Sequence, residues 1–433
     1  MVRGAVGGVA LAKAGIARIS HQARKLTTAT GEHEAAQQRF EAEVGRILFG
    51  ALNQLKGTAL KLSQMLSAHA EFLPDSIRNA LAKGCYQVTP LNRALVHKVF
   101  RHEFGQPAET LFAHFDPHAF AAASLGQVHY ASLADGSAVA VKVQYPGIAG
   151  AINSDLRMVR TVLQRLGMGA DFLPRKELLD QVMEEIAETL REELDYEHEA
   201  AQLTWFREHV SMPGIVIPAA IASHSSRRVL TMTRLDGFHV DQWLATNPDQ
   251  ASRDRYGQIL FDWFWYSLFE LGRLHADPHP GNILFMPDGR LGLLDFGATR
   301  SMSQGFCVSL SRAWNARLNL SGAASNAELR SAYIGLQLIT PALDQQHFDE
   351  QLLPVIAPMI DWQLAPFRQA RCNFATLEAM PRPDAAVAKT VNRLFTGMHR
   401  ELPYFERSYM GVLHMLKQIG ATVSIAPGTF KIY

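Results

Sequence analysis

The chain has 433 residues, enough for two or three folding units and a sizeable core. Hydrophobic residues make up 48% and charged residues 19%, an ordinary globular balance, and a net charge of +1 argues against a general nucleic-acid binder. Cys85, Cys307 and Cys372 are odd in number and far apart, which argues against a disulfide framework or a cysteine zinc site and fits a reducing cytoplasm.

Residues 1–33 form a terminal segment rich in Gly, Ala and basic residues (Arg3, Lys13, Arg18, Arg24, Lys25). It reads either as a frayed end or as a weakly amphipathic stretch in peripheral contact with an anionic membrane. Lys13 interrupts the apolar run from Ala5 to Ala12, so no secretory signal is formed. No uncharged run reaches the length of a membrane span. Residues 34–115 read as a helical extension, with Phe40, Val44, Leu48, Leu52 and Leu55 at i+3 and i+4 spacing. Leu62, Met65 and Leu66 continue the stripe, and Lys61 and Gln64 share a neighbouring face. On their own, these two are surface positions of an amphipathic helix. Pro74, Gly84 and Pro90 punctuate shorter helices up to Phe115.

Over 116–236 the period changes. Ala121-Ala122-Ala123-Ser124-Leu125-Gly126-Gln127-Val128 reads as an Ala-rich loop entering a strand that ends near Leu133. Gly126 is its permissive backbone position, and Ser124 adds a hydroxyl suited to phosphate. Asp135-Gly136 signals a hairpin turn. Ala138 to Gln144 alternates, with Val139, Val141 and Val143 on one face and Ala140, Lys142 and Gln144 on the other. An isolated Lys142 here would be a solvent-facing strand lysine. Leu178 to Glu208 reads as one long acidic helical region, most of whose charges are solvated. Arg228 to Thr233 is a strand, left through Arg234-Leu235-Asp236-Gly237.

Residues 237–433 read as mostly helical. Tyr256 to Leu274, apolar on nearly all sides, predicts a buried core helix. It delivers the chain to His275-Ala276-Asp277-Pro278-His279-Pro280-Gly281-Asn282. Next come Ile283-Leu284-Phe285, a turn at Pro287-Asp288-Gly289-Arg290, Leu291 to Leu294, and Asp295-Phe296-Gly297. Two short strands joined by that turn would bring the two polar ends near each other. Asp277 then serves as proton acceptor or positioner, and the oxygens of Asn282 and Asp295 suit Mg²⁺. This is the arrangement phosphoryl transfer needs: positioning and charge neutralisation with little covalent chemistry. Beyond Gly297, Pro354, Pro358, Pro366, Pro381 and Pro383 mark expected helix breaks.

His-x-Asp, an Asn five residues after the Asp, and then Asp-Phe-Gly resemble the catalytic and metal-binding segments of protein kinases. Four further motifs resemble the UbiB/AarF family of atypical kinases: Lys61-Leu62-Ser63-Gln64 (its KxGQ helix), Ala121 to His129 (its Ala-rich loop), Glu193-Leu194-Asp195-Tyr196 (its ExD motif, with Glu199-Ala200 downstream) and His275 to Asn282 (its catalytic loop). The resemblance covers roughly residues 45–300. It implies an α+β, bilobal protein-kinase-like fold with an N-terminal helical extension (34–115), an N-lobe (116–236) and a mostly helical C-lobe (237–433). The implied cofactors are ATP and Mg²⁺. The nucleotide would meet Ala121, Ala122, Ala123, Ser124, Gly126, Gln127 and Lys142, with adenine on the backbone of Thr233 and Leu235 and Met232 behind it. Lys142 would bind phosphate and pair with Glu199. Asp277 would be the catalytic Asp, and Asn282 and Asp295 would hold the metal. Lys61 and Gln64 would lie over the site, held there by Glu193 and Asp195.

Three departures stand out. Ser63 occupies the family's Gly position, Thr233 replaces a common hinge Glu, and the C-terminal membrane helices of bacterial ubiquinone-biosynthesis members are absent. The implied function is an ATPase-like atypical kinase serving ubiquinone or other isoprenoid-lipid metabolism, cytoplasmic or peripheral at the inner membrane face, with a lipid or quinone-precursor ligand. Two alternatives stay open. One is a small-molecule phosphotransferase of the aminoglycoside/choline kinase type; the other is an ATP-regulated lipid-binding protein with slow turnover. Oligomeric state is not legible.

Overall fold

The computed structural model describes residues 93–167 apart from 124, residues 176–381 and 385–425, and in addition 43–47, 50 and 62. Lys61, Ser63, Gln64 and Ser124 lie outside the described residues, as does the 1–33 segment. The chain divides into two units, residues 1–201 with 220–234, and residues 202–219 with 235–433.

The first unit is built on a four-stranded antiparallel sheet in the order β1-β2-β3-β5. Its strands are β1 (His114–Ala123), β2 (Gly126–Ser132), β3 (Ala138–Gln144) and β5 (Val229–Thr233); β4 (Ile215–Val216) belongs to the second unit. The valines of β3 point where their alternation predicts. Val139, Val141 and Val143 are fully buried and pack with Ala131, Val229 and Phe115 against Val96, Val99 and Phe100 of helix α1 (Arg93–Phe104). Each of the valine and phenylalanine side chains contributes roughly 1.5–3 kcal/mol by leaving water. Helix α2 (Ile148–Gly167) buries Ile148, Ile152, Leu156, Val159 and Leu163, a stripe at helical spacing, and packs on α3 (Lys176–Glu193).

Several local expectations are corrected in this unit. The Ala-rich segment is not a loop: Ala121, Ala122 and Ala123 pair with Val128, Gln127 and Gly126 as the end of β1. β1 also begins at His114, inside the stretch read as helical. The β2–β3 connection is longer than a two-residue turn, with Leu133 N donating to Ser137 O (2.9 Å) and Gly136 at φ 83°. The acidic helical region is two helices, α3 and α4 (Tyr196–His209), interrupted at Leu194-Asp195.

His129 is fully buried on the core face of β2, stacked on Phe115 at 4.8 Å. With Nδ1 donating to Asp116 O (2.8 Å) and Nε2 accepting from Gln127 Nε2 (2.8 Å), the neutral ring satisfies both contacts. Burial holds its pKa below the ordinary value of 6.5. The unfolded chain then binds a proton that the folded chain refuses, so this contribution is full above about pH 6.5 and declines as pH falls below it. The urea midpoint of the first unit is expected to drop on acidification below that pH. In His129→Gln this part of the pH dependence is absent. An identical pH profile in the two proteins would contradict the assignment.

The second unit holds two small sheets around the polar loop. Strands β7 (Ile283–Phe285) and β8 (Leu291–Leu293) form the expected hairpin, with Ile283 opposite Leu293 and Phe285 opposite Leu291, and β4 adds in parallel to β8. Strands β6 (Arg273–His275) and β9 (Thr299–Ser301) make a separate antiparallel ribbon. Helix α5 (Gln250–Trp265) starts at the Asp249 cap, whose carboxylate accepts from Ser252 N at 2.8 Å. It continues as one π-turn over Tyr266–Glu270 and stops there, so Arg273 and Leu274, read as the end of a helix, are strand together with His275. The core gathers on Trp265, whose ring meets Trp314, Phe367, Phe405 and Tyr409 within 6.5 Å. These rings come from helices α6 (Gln304–Asn319) and α9 (Leu402–Ile419) and from a short 3₁₀ turn. Between α6 and α9 lie α7 (Gly322–Gly335) and α8 (Leu353–Leu364). Pro358 sits inside α8 rather than breaking it. Short strands β10 (Arg371–Asn373) and β11 (Thr422–Ser424) pair with each other. Among the described residues, no helix is long and apolar enough to cross a membrane.

Candidate active site

In the first unit, Lys142 Nζ donates to both Glu199 oxygens, at 2.9 and 2.8 Å. The pair is buried, with side chains 9% and 2% exposed. The ammonium also lies 5.0 Å from the Tyr196 ring centre. Register explains the meeting. Two residues after Lys142, Gln144 Nε2 donates to Leu194 O at 2.9 Å, in the break between α3 and α4. Asp195 then caps α4: its Oδ1 accepts from His198 N at 3.0 Å. One helical turn later Glu199 faces the strand. Of the residues expected to hold the N-terminal extension, Asp195 thus has a local role as a cap, and Glu193 is the half-buried last residue of α3.

The remaining expected nucleotide contacts divide between the two units. Gly126 does not use a positive φ. It is glycine because a Cβ there would lie 2.4 Å from Val143 O and 2.9 Å from Tyr196 Oη. Gln127 is 1% exposed and bonds His129. Met232 is 6% exposed, opposite Ala140. Thr233 ends β5, and Arg234 N donates to Ala138 O at 3.1 Å. Leu235 lies in the second unit and packs toward Gly292.

In the second unit the two ends of the loop are tied to the stretch around Asp-Phe-Gly. Ala276 N donates to Ala298 O (3.0 Å), Leu294 N to Asn282 O (2.9 Å), and the His275 ring Nε2 to Asp295 O. Asn282 Nδ2 donates to Asp277 Oδ2 (3.0 Å) and Asp277 O (3.2 Å). With its nitrogen turned to Asp277, the amide presents its oxygen the other way, as a cation ligand requires. Asp295 Oδ1 accepts from Gly297 N at 2.9 Å, an Asx turn that fixes the carboxylate. Phe296 is fully buried against Phe206 (4.9 Å) and edge-on to His275 (5.3 Å). Among the described residues, no group of three or more His, Cys, Asp or Glu is arranged to hold a metal. One carboxylate and one amide oxygen still fit Mg²⁺, which keeps waters and takes its other ligands from phosphates. Asp277, Asn282 and Asp295 are all half-buried, open enough to be reached.

Three contributors were not singled out from the sequence. His275 is read there only as part of the motif, yet it links the loop to Asp295. Arg407 donates to Ala276 O, and Gly411 lies against Pro278. The last two stand more than a hundred residues downstream, and only a glycine in mid-helix hinted at close packing there.

A lysine–glutamate pair on sheet and helix, a His-x-Asp loop and an Asp-Phe-Gly turn on a hairpin define a protein-kinase-like protein. The ABC1 atypical kinase-like domain model matches residues 85–324, more than half of the chain. The chain belongs to the ABC1 atypical kinase-like family, the relationship its motifs indicate. It is 34% identical over 273 residues to the atypical kinase coq-8, mitochondrial, of Caenorhabditis elegans, covering 61% of this chain and 35% of that protein. It is 33% identical over 269 residues to ACTIVITY OF BC1 COMPLEX KINASE 1, chloroplastic, of Arabidopsis thaliana, covering 60% and 38%. The chain thus spans little more than a third of the length of these two relatives. Among solved structures it resembles Rv3197 of Mycobacterium tuberculosis in complex with erythromycin, at 25% identity and TM-score 0.62, over 93% of this chain and 96% of that one.

Proposed function

We propose that this chain is an atypical kinase that binds Mg·ATP and transfers its terminal phosphoryl group to water or to a small lipid-related acceptor, in support of ubiquinone or other isoprenoid-lipid metabolism. The buried Lys142–Glu199 pair carries the reading: taking both charges out of water is costly, and an ammonium oriented by a carboxylate at the sheet is what binding of phosphate oxygens uses. Glu199 orients the Lys142 ammonium toward α- and β-phosphate oxygens. Asp277 accepts the nucleophile's proton, and its contact with Asn282 sets the carboxylate's orientation. Asn282 and Asp295 would hold the magnesium, which when bound neutralises charge on the phosphates. Adenine would bond to the backbone of Thr233 and Leu235. Lys61 and Gln64, with Glu193 and Asp195, would restrict access to other acceptors, and lipid contact would be peripheral.

Titration calorimetry tests this directly. Adenine nucleotide is expected to bind in the presence of Mg²⁺, and Lys142→Met to weaken that binding by roughly 10-fold or more, the size of one charge-assisted contact. No heat at millimolar nucleotide would end the proposal.

A second reading, phosphorylation of a hydroxyl-bearing small molecule, is favoured by one observation: Rv3197, similar along 93% of this chain, was solved with erythromycin. Incubation with labelled ATP and a macrolide separates the two, since only this reading places label on the macrolide.

A further inference from the structure

We infer that helix α9 is a brace that positions the catalytic loop, and that Arg407 and Gly411 are its two points of grip. This rests on Asp277 being the catalytic residue, as proposed above. Arg407 and Gly411 are four residues apart and therefore share one face of α9. From that face Arg407 Nη2 donates to Ala276 O. Gly411 admits the Pro278 ring, because a Cβ there would lie 2.2 Å from Pro278 Cγ and 2.8 Å from Pro278 Cβ. The residues gripped are those immediately before and after Asp277. Behind the loop, Ala276 N is held by Ala298 O (3.0 Å), so the backbone at 276 is fixed from both sides. Asp277 in turn carries the Asn282 amide on two of its oxygens. A displacement of Pro278 or Ala276 therefore turns the Asp277 carboxylate and shifts Asn282 with it. The brace lies outside residues 85–324, the part of the chain matched by the family domain.

The energetics make Gly411→Ala a selective probe. Glycine within a helix is intrinsically less favourable than alanine, so the substitution favours the helix while its methyl group drives the rigid Pro278 ring away. The clash lowers stability, offset in part by alanine's helix preference, and its relief falls on the loop. Arg407→Ala removes the other grip, and Arg407→Lys keeps a cationic donor at that place.

The experiment uses the full chain and two readouts, ATP turnover and hydrogen exchange of the peptide spanning residues 275–285. In Gly411→Ala and Arg407→Ala the loop amides are expected to exchange faster. Turnover should fall by about 100-fold, the scale of an ångström-sized misplacement, with the KM for ATP held within about 2-fold. Arg407→Lys should recover part of the turnover. Unchanged loop exchange, or turnover within about 2-fold of the parent, overturns the brace. Asp277→Asn, run alongside, separates the two ideas: if it retains full turnover, the catalytic reading fails and the proposal falls with it. If it abolishes turnover while the α9 variants do not, only the brace fails.

Discussion

Asp295→Asn is expected to lower Mg²⁺-dependent ATP turnover by on the order of 10³-fold, about 4 kcal/mol of transition-state stabilisation, without lowering the melting temperature. The substitution is nearly isosteric. An amide oxygen can still accept from Gly297 N, the His275 contact is to backbone, and Phe296 stays buried beside it. What disappears is the negative charge. An amide in its place attracts a divalent cation weakly, and Asn282 already supplies a neutral ligand. Steady-state hydrolysis across a Mg²⁺ series, together with a thermal melt, checks both halves of the expectation. Turnover equal to the parent at saturating Mg²⁺ would refute the role of Asp295.

The second large effect concerns stability. Glu199→Leu should destabilise the first unit by about 3–5 kcal/mol, because it leaves the Lys142 ammonium buried without its carboxylate. Lys142→Met removes the ammonium from the Glu199 carboxylate and should cost a similar amount. Replacing both, Lys142→Met with Glu199→Leu, should restore most of the loss, since a buried pair exchanged for packed apolar groups is often close to neutral. All three variants are expected to lack turnover. Urea unfolding of the four proteins closes a double-mutant cycle. Additive losses, with the double variant as unstable as the sum, would mean that the two side chains contribute independently.

The parts of the fold that could be read in advance are those where one local rule decides. The β3 valines alternate with period two over a buried face, and the β7–β8 hairpin is set by a Pro-Asp-Gly-Arg turn between apolar triplets. The His-x-Asp loop stands out because so many polar and turn-forming residues crowd eight positions. The misread parts are those where a partner distant in sequence overrides local preference. Alanines are poor strand formers, yet Ala121 to Ala123 are extended because β2 offers them a ladder. The break at Leu194-Asp195 lacks Gly or Pro, and its only signal is an Asp able to cap the next helix. Motifs supply most of the candidate site, from Glu199 to Asp295. Gln144, Arg407 and Gly411, by contrast, act through contacts with residues 50 to more than 130 positions away. No periodicity encodes those.

The β6–β9 ribbon makes one piece of two segments that the motifs present as separate. Its rungs run from Arg273–Ser301 to His275–Thr299 and continue through Ala276 N to Ala298 O, so the stretches entering Asp277 and leaving Asp295 are cross-linked like the rails of a ladder. Whatever tilts one rail carries the other with it. The ladder therefore sets the spacing of the strands from which the two acids project, and drawing those strands apart demands that its rungs be broken.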